Sequence, residues 1–294
     1  MVEKKFIDLG NGETYAYIEK GQGDKHLILV HGNVSSSLYF RPLIERLPND
    51  VHVYAVDLRG FGDSTYVEPV LSLKDLADDI YLWMNAKGIE KASMLGWSLG
   101  GGVVLEFAAK YQHMLEKLIL LNSASHKGYP IYKKDENQQM LIGEVYSSRE
   151  ELATDPVQVV PLLMALKTKN KSFLKQIFNM TIYTVNQPDD VSYDIYLEES
   201  LKQRNLVDVD FALASLNMGC QSNGYALGDC TIGSLEIETL HLWGTHDITV
   251  PEYMVKDNVD AMKHSTYVKF DQCGHSILVD KPNELTKVIE DFIK

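Results

Sequence analysis

The spacing of apolar residues changes character several times along the first 121 positions. From Glu13 to Glu19 apolar and polar residues alternate around Tyr15 and Tyr17, which is the period of a half-buried strand. Asn11-Gly12 just before it predicts a hairpin turn. His26 to Val30 is a short continuous apolar run, as expected of a strand covered on both faces. Leu38 to Leu47 has helical spacing and Val51 to Val56 that of a strand. Ser72 to Lys87 predicts a helix: Ser72 and Asp75 make a capping-box start, and Leu73, Leu76, Ile80 and Trp83 mark one face. Gly88 stands where a C-terminal cap belongs. Ala92 to Leu95 then reads as a strand, Leu99 to Lys110 as a helix and Leu115 to Leu121 as a strand. Strands alternating with helices predict an α/β chain built on a mostly parallel, doubly wound sheet.

From His126 to Thr231 the alternation stops. Helix-like spacing recurs around 135–147, 156–168, 171–186, 190–205 and 208–218, with no strand between. We therefore expect a helical cap (126–231) inserted between two parts of one core (1–125 and 232–294), since consecutive helices of this number do not fit in mid-sheet. Strand spacing returns at Thr239 to Trp243. A helix follows Pro251, a strand covers Thr266 to Phe270, and a last helix starts at Pro282.

Composition narrows the classes further. With 45% hydrophobic and 23% charged residues in 294, collagen-like, coiled-coil and disordered chains are excluded. A net charge of −13 argues against nucleic acid as a partner and against stable association with anionic membranes. The three cysteines, Cys220, Cys230 and Cys273, form no CxxC pair, which predicts reduced thiols. The start of the chain has no apolar core and no small-residue cleavage site, so we expect a cytoplasmic protein. Its oligomeric state stays open, a homodimer included.

Candidate chemistry centres on Gly96-Trp97-Ser98-Leu99-Gly100. The motif directly follows one strand and directly opens a helix, a turn that lifts the Ser98 hydroxyl to the edge of the sheet. A serine hydroxyl needs a base and an orienting acid. His275, in Gln272-Cys273-Gly274-His275-Ser276, follows the last strand and is the expected base. Asp247, four residues past Thr239–Trp243, is the expected acid; no carboxylate stands in Asn122-Ser123-Ala124-Ser125, the other place for one. His246 competes for the base role but adjoins the acid on the same loop. A developing oxyanion needs donors. The backbone N–H of Leu99 is one, and the loop His31-Gly32-Asn33-Val34 offers that of Asn33, with Val34 as substitute. No HExxH, CxxC pair, Walker A motif or dinucleotide fingerprint is present, so a metal or nucleotide site has no support.

Taken together, His31 to Ser37, Asp57-Leu58-Arg59-Gly60-Phe61-Gly62-Asp63-Ser64, Gly96 to Gly102 and the Asp247 and His275 loops resemble the α/β-hydrolase superfamily. The resemblance implies an eight-stranded sheet with a helical cap between the sixth and seventh strands, a Ser98–His275–Asp247 triad and no cofactor. It implies a structural role for Asp57 and Arg59. Ser98 stands where haloalkane dehalogenases need a carboxylate, and the glycine-rich loop of proline iminopeptidases is missing. The motifs are most similar to intracellular carboxylesterases, with intracellular polyhydroxybutyrate depolymerases beside them. The expected reaction is hydrolysis of small to medium hydrophobic esters through an acyl-enzyme. A depolymerase, a lactonase and a ligand-binding receptor or scaffold on the same fold are the alternatives.

Overall fold

The continuous apolar runs form strands buried on both faces. In the structure, a computed structural model that describes residues 3–294, ten strands and eleven α-helices follow one another. The first half contains β1 (Lys5–Asp8), β2 (Thr14–Lys20), β3 (Lys25–Val30), α1 (Arg41–Arg46), β4 (Val51–Val56), α2 (Leu73–Lys87), β5 (Ala92–Trp97), α3 (Leu99–Tyr111) and β6 (Leu115–Leu121). Then come β7 (Tyr132–Lys134), β8 (Met140–Val145), α4 (Arg149–Leu152), α5 (Val160–Thr168), α6 (Lys171–Thr181), α7 (Asp190–Ser200) and α8 (Leu206–Ser215). The chain closes with β9 (Thr239–Gly244), α9 (Glu252–Ala261), β10 (Ser265–Phe270), α10 (Ile277–Asp280) and α11 (Pro282–Ile293).

Eight strands make one sheet in the order β1-β2-β4-β3-β5-β6-β9-β10. β1–β2 and β2–β4 are antiparallel, and every other pairing in that sheet is parallel. Side chains alternate between its two sides, so each strand serves two cores. Ile28, Val30, Tyr54, Val56, Leu118 and Leu120 pack under α2 and α3. Leu27, Leu29, Val53, Ala55, Ile119 and Leu121 face the opposite side, with α1 and α11 over them. The start of α2 is the expected capping box, and Gly88 ends it in the left-handed conformation, with φ of 70°.

The segment between β6 and β9 adds no strand to this sheet, but it is not all helical. The stretch 135–147, expected as a helix, is mostly the hairpin β7–β8, with Tyr132 opposite Val145 and Lys134 opposite Met140. Local chemistry explains the difference. Asp135 Oδ1 accepts the N–H groups of Asn137 and Gln139, an alternative to helical bonding, and Gly143 at a φ of 92° cannot sit in a helix. A second correction concerns the thiols. Cys220 and Cys230 are joined in a disulfide with their Cα atoms 4.4 Å apart, and only Cys273 is free, buried in the core. The loop after α8 folds back on itself, with Cys230 N–H donating to Gly219 O, which brings the two sulfurs together. That bond removes the thiol argument for a reducing compartment. No helix among the described residues is long and apolar enough to cross a membrane.

Candidate active site

The parallel strands β3, β5, β6, β9 and β10 all end at the same edge of the sheet, and the loops leaving that edge carry the candidate groups. Between β5 and α3 the chain turns so sharply that Ser98 adopts φ 55° and ψ −117°, a conformation that ordinary residues avoid. Two glycines allow the turn. A Cβ on Gly100 would stand 2.2 Å from Val30 O, and one on Gly96 would stand 2.3 Å from Gly100 O. The approach brings the loop after β3 against the turn, with the Cβ position of Gly32 3.1 Å from Ser98 Cβ. Hydrogen bonds from Ser98 N to Leu121 O, and to Ser98 O from Gly101 and Ala124, hold the backbone in place.

The other two loops meet each other. His275 Nδ1 lies 2.8 Å from Asp247 Oδ2, with the two residues 2% and 6% exposed. The second Asp247 oxygen accepts the N–H groups of Thr249 (2.8 Å) and Val250 (2.9 Å). Because an ionised carboxylate only accepts, the pairing puts the imidazole proton on Nδ1 and leaves Nε2 as an acceptor. His275 and Ser98 line one cavity of about 600 Å³. His246 is exposed and contacts the Thr245 hydroxyl at 3.2 Å instead. The His31 side chain has its own partners, Gly32 O and the N–H of Leu58, and burial lowers its pKa to about 4.

Of the expected oxyanion donors, neither the Asn33 nor the Leu99 backbone N–H meets an acceptor among the described residues. The Val34 N–H is taken by Gln203 Oε1 and Asn33 Oδ1, both at 3.0 Å, which removes it as the substitute. Asp57 and Arg59 lie away from the cavity. Asp57 ties Lys4, Ser37 and Asp63 together, and Arg59 grips Asp79 with Nε and Nη2 at 2.7 and 2.6 Å.

Three residues matter that pattern reading passed over. Asn122 follows β6, at the other place where an acid of this arrangement could stand. Its Nδ2 donates to Gly274 O and His275 O at 3.0 and 2.8 Å, and its Oδ1 accepts Gly244 N–H, so one amide pins both loops. Trp97 Nε1 adds a bond to His275 O at 3.0 Å. The third is Asp210 on α8, an acid on an apolar helical stripe, which reaches the cavity wall. Between β6 and β9, Tyr129, Phe173, Phe178 and Met180 line the cavity. Tyr183, Tyr193, Tyr196 and Met218 fill the core, and Met140 and Met164 face solvent.

Burial raises the Asp210 carboxyl from 3.8 to about 8, against the opposing pull of the Asn33 amide. An acid with a folded pKa above its unfolded value keeps its proton only in the folded chain between the two. The folded state therefore binds more protons, and this group erodes stability as pH rises from about 4 to about 8. Asp210→Asn has no proton to lose. Its stability relative to the wild type is expected to increase from pH 5 to pH 8, as read by urea unfolding at both values. An unchanged difference contradicts this.

Comparisons with known proteins agree with this architecture. Residues 25–282 match the family described as alpha/beta hydrolase fold. A stretch of 119 residues is 36% identical to a pimeloyl-[acyl-carrier protein] methyl ester esterase of Proteus mirabilis, covering 39% of this chain and 44% of that protein. An esterase from Exiguobacterium antarcticum superposes with a TM-score of 0.75 at 18% identity, over 99% of both chains. The enol-lactonase of Burkholderia xenovorans does so with a TM-score of 0.75 at 17% identity, over 98% of this chain and 99% of its own. At these identities the two structures speak for the fold alone.

Proposed function

The chain belongs to the α/β-hydrolase fold family, and from that premise we propose that it is a serine hydrolase of carboxylic esters. The observation that carries this reading is the buried His275–Asp247 pair at 2.8 Å, on the wall of a cavity that Ser98 shares. In the first half-reaction Ser98 Oγ attacks the ester carbonyl while His275 Nε2 takes its proton. The N–H groups of Asn33 and Leu99 receive the oxyanion. His275 then hands the proton to the leaving alcohol, and the acyl group stays on Ser98. In the second half-reaction His275 deprotonates a water, which attacks the acyl-enzyme. The carboxylic acid leaves and Ser98 regains its proton. Asp247 holds the imidazole tautomer and stabilises the imidazolium.

The substrate class follows from the wall. Leu162, Phe173, Ile177 and Phe178 offer apolar surface, and among the described residues no lysine or arginine lines the cavity to receive an anionic acid group. Small to medium hydrophobic esters suit it. A methyl ester, the linkage in the name of the Proteus relative, falls within that class. A panel of p-nitrophenyl esters from acetate to dodecanoate tests the reading. Turnover is expected, with kcat/KM highest at short to medium acyl lengths. Negligible rates at every length from folded protein favour a binding module instead.

A further inference from the structure

Asp210 breaks the pattern of its own helix. Leu206, Leu213 and Ala214, one turn to either side of it on α8, are buried, and Asp210 itself is 8% exposed. A carboxyl in such a place is unfavourable unless something pairs with it. Among the described residues no cation pairs with it, and the other charge that reaches it is the carboxylate of Asp155. Its one partner among the described residues is Asn33, whose Nδ2 donates to Asp210 Oδ1 at 2.7 Å. The direction of that bond is fixed from outside. Asn33 Oδ1 already accepts from Gln203 Nε2 at 2.9 Å and from Val34 N–H at 3.0 Å, so only the Asn33 amide nitrogen is left for Asp210. Asp210 Oδ1 is therefore always the acceptor, and any proton sits on Oδ2. Oδ2 has no partner among the described residues and is not sealed in, and among those residues Asp210 is the one carboxyl on the cavity wall.

We propose that Asp210 is the specificity-determining residue of this site, and that it selects esters bearing a hydroxyl on the acyl side, close to the scissile carbonyl. The proposal rests on the esterase reading of Ser98. A hydroxyl matches Oδ2 in either state, accepting from the protonated acid and donating to the carboxylate. An ammonium would have to give up its water against an apolar wall, and a second carboxylate would find no cation there. The closeness to the carbonyl follows from Asn33, which offers its backbone N–H to the oxyanion and holds Asp210 with its side chain. A site arranged to hydrogen-bond a hydroxyl discriminates against the analogue that lacks it, because its own polar group is then left unpaired.

The readout is the ratio of kcat/KM for p-nitrophenyl 3-hydroxyhexanoate to that for p-nitrophenyl hexanoate. In the wild type it is expected at about 10–100. Asp210→Leu brings the ratio to about one, while Asp210→Asn, which still hydrogen-bonds both Asn33 and a hydroxyl, keeps most of the preference. A wild-type ratio near one, or a preference that survives Asp210→Leu, overturns the proposal. A second arm separates it from the esterase reading. NMR titration of Ser98→Ala with methyl 3-hydroxyhexanoate and methyl hexanoate reads recognition without cleavage. Tighter binding of the hydroxy ester, lost on adding Asp210→Leu, upholds the role of Asp210 even if no ester is cleaved. Equal binding of the two overturns it even if both are cleaved.

Discussion

Ser98→Ala is expected to lower kcat on p-nitrophenyl esters by about 10⁴-fold or more while leaving the fold intact. The two halves of that expectation have separate grounds. The chemical half comes from removing the only atom that forms the acyl-enzyme bond; what remains is binding and oxyanion stabilisation without a nucleophile. The structural half comes from the bonds that hold the turn, which use the Ser98 backbone: its N–H donates to Leu121 O and its carbonyl accepts from Gly101 and Ala124. Alanine keeps the Cβ, so the unusual φ and ψ cost the variant about what they cost the wild type. A change within about 0.5 kcal/mol moves the melting temperature of a chain this size by only about 1–2 °C. Steady-state kinetics with a thermal melt of the same sample checks both halves. Residual activity within tenfold of wild type removes Ser98 from the chemistry.

The second large effect is expected at Asp247→Asn. The side chain keeps its shape, and its Oδ1 can still accept the N–H groups of Thr249 and Val250, so the loop stays. What changes is the atom facing His275. Asp247 Oδ2 accepts from Nδ1 at 2.8 Å; an amide nitrogen in its place donates, and so it selects the tautomer with its proton on Nε2. That nitrogen can no longer take the proton of Ser98. A fall in kcat on the order of 10³–10⁴, with KM changed little, is the expected result. Wild-type-like turnover in Asp247→Asn would mean that the imidazole is oriented by another group.

How far the sequence could be read depended on whether a feature left a periodic trace. The two-sided burial of β3 and β6 was visible because both faces are apolar, and α2 was visible because its cap, its stripe and its terminal glycine agree. The hairpin β7–β8 left no such trace. It packs into neither face of the sheet, Met140 and Ile142 point to solvent, and its course is set by Asp135 and Gly143 rather than by an apolar face. Counting cysteines could not reveal that the chain returns to Cys220 ten positions later, at Cys230. At the site, the placement of Ser98, His275 and Asp247 along one edge was legible because each follows a strand end, and topology gathers strand ends on one edge. Asn122 also follows a strand, but its work is done by an amide on distant backbone carbonyls, which spacing does not encode. Asp210 did leave a signal, a carboxylate between Leu206 and Leu213 on one stripe, and its meaning depended on what faces it across the cavity.

Both effects presuppose that Ser98 is a nucleophile activated by His275. Incubation of the purified protein with a fluorophosphonate, followed by digestion and mass spectrometry, tests it most directly. One adduct per chain is expected, on the Ser98 hydroxyl, with its loss in His275→Ala. Folded protein that takes up no label, or takes it up on another residue, contradicts the account.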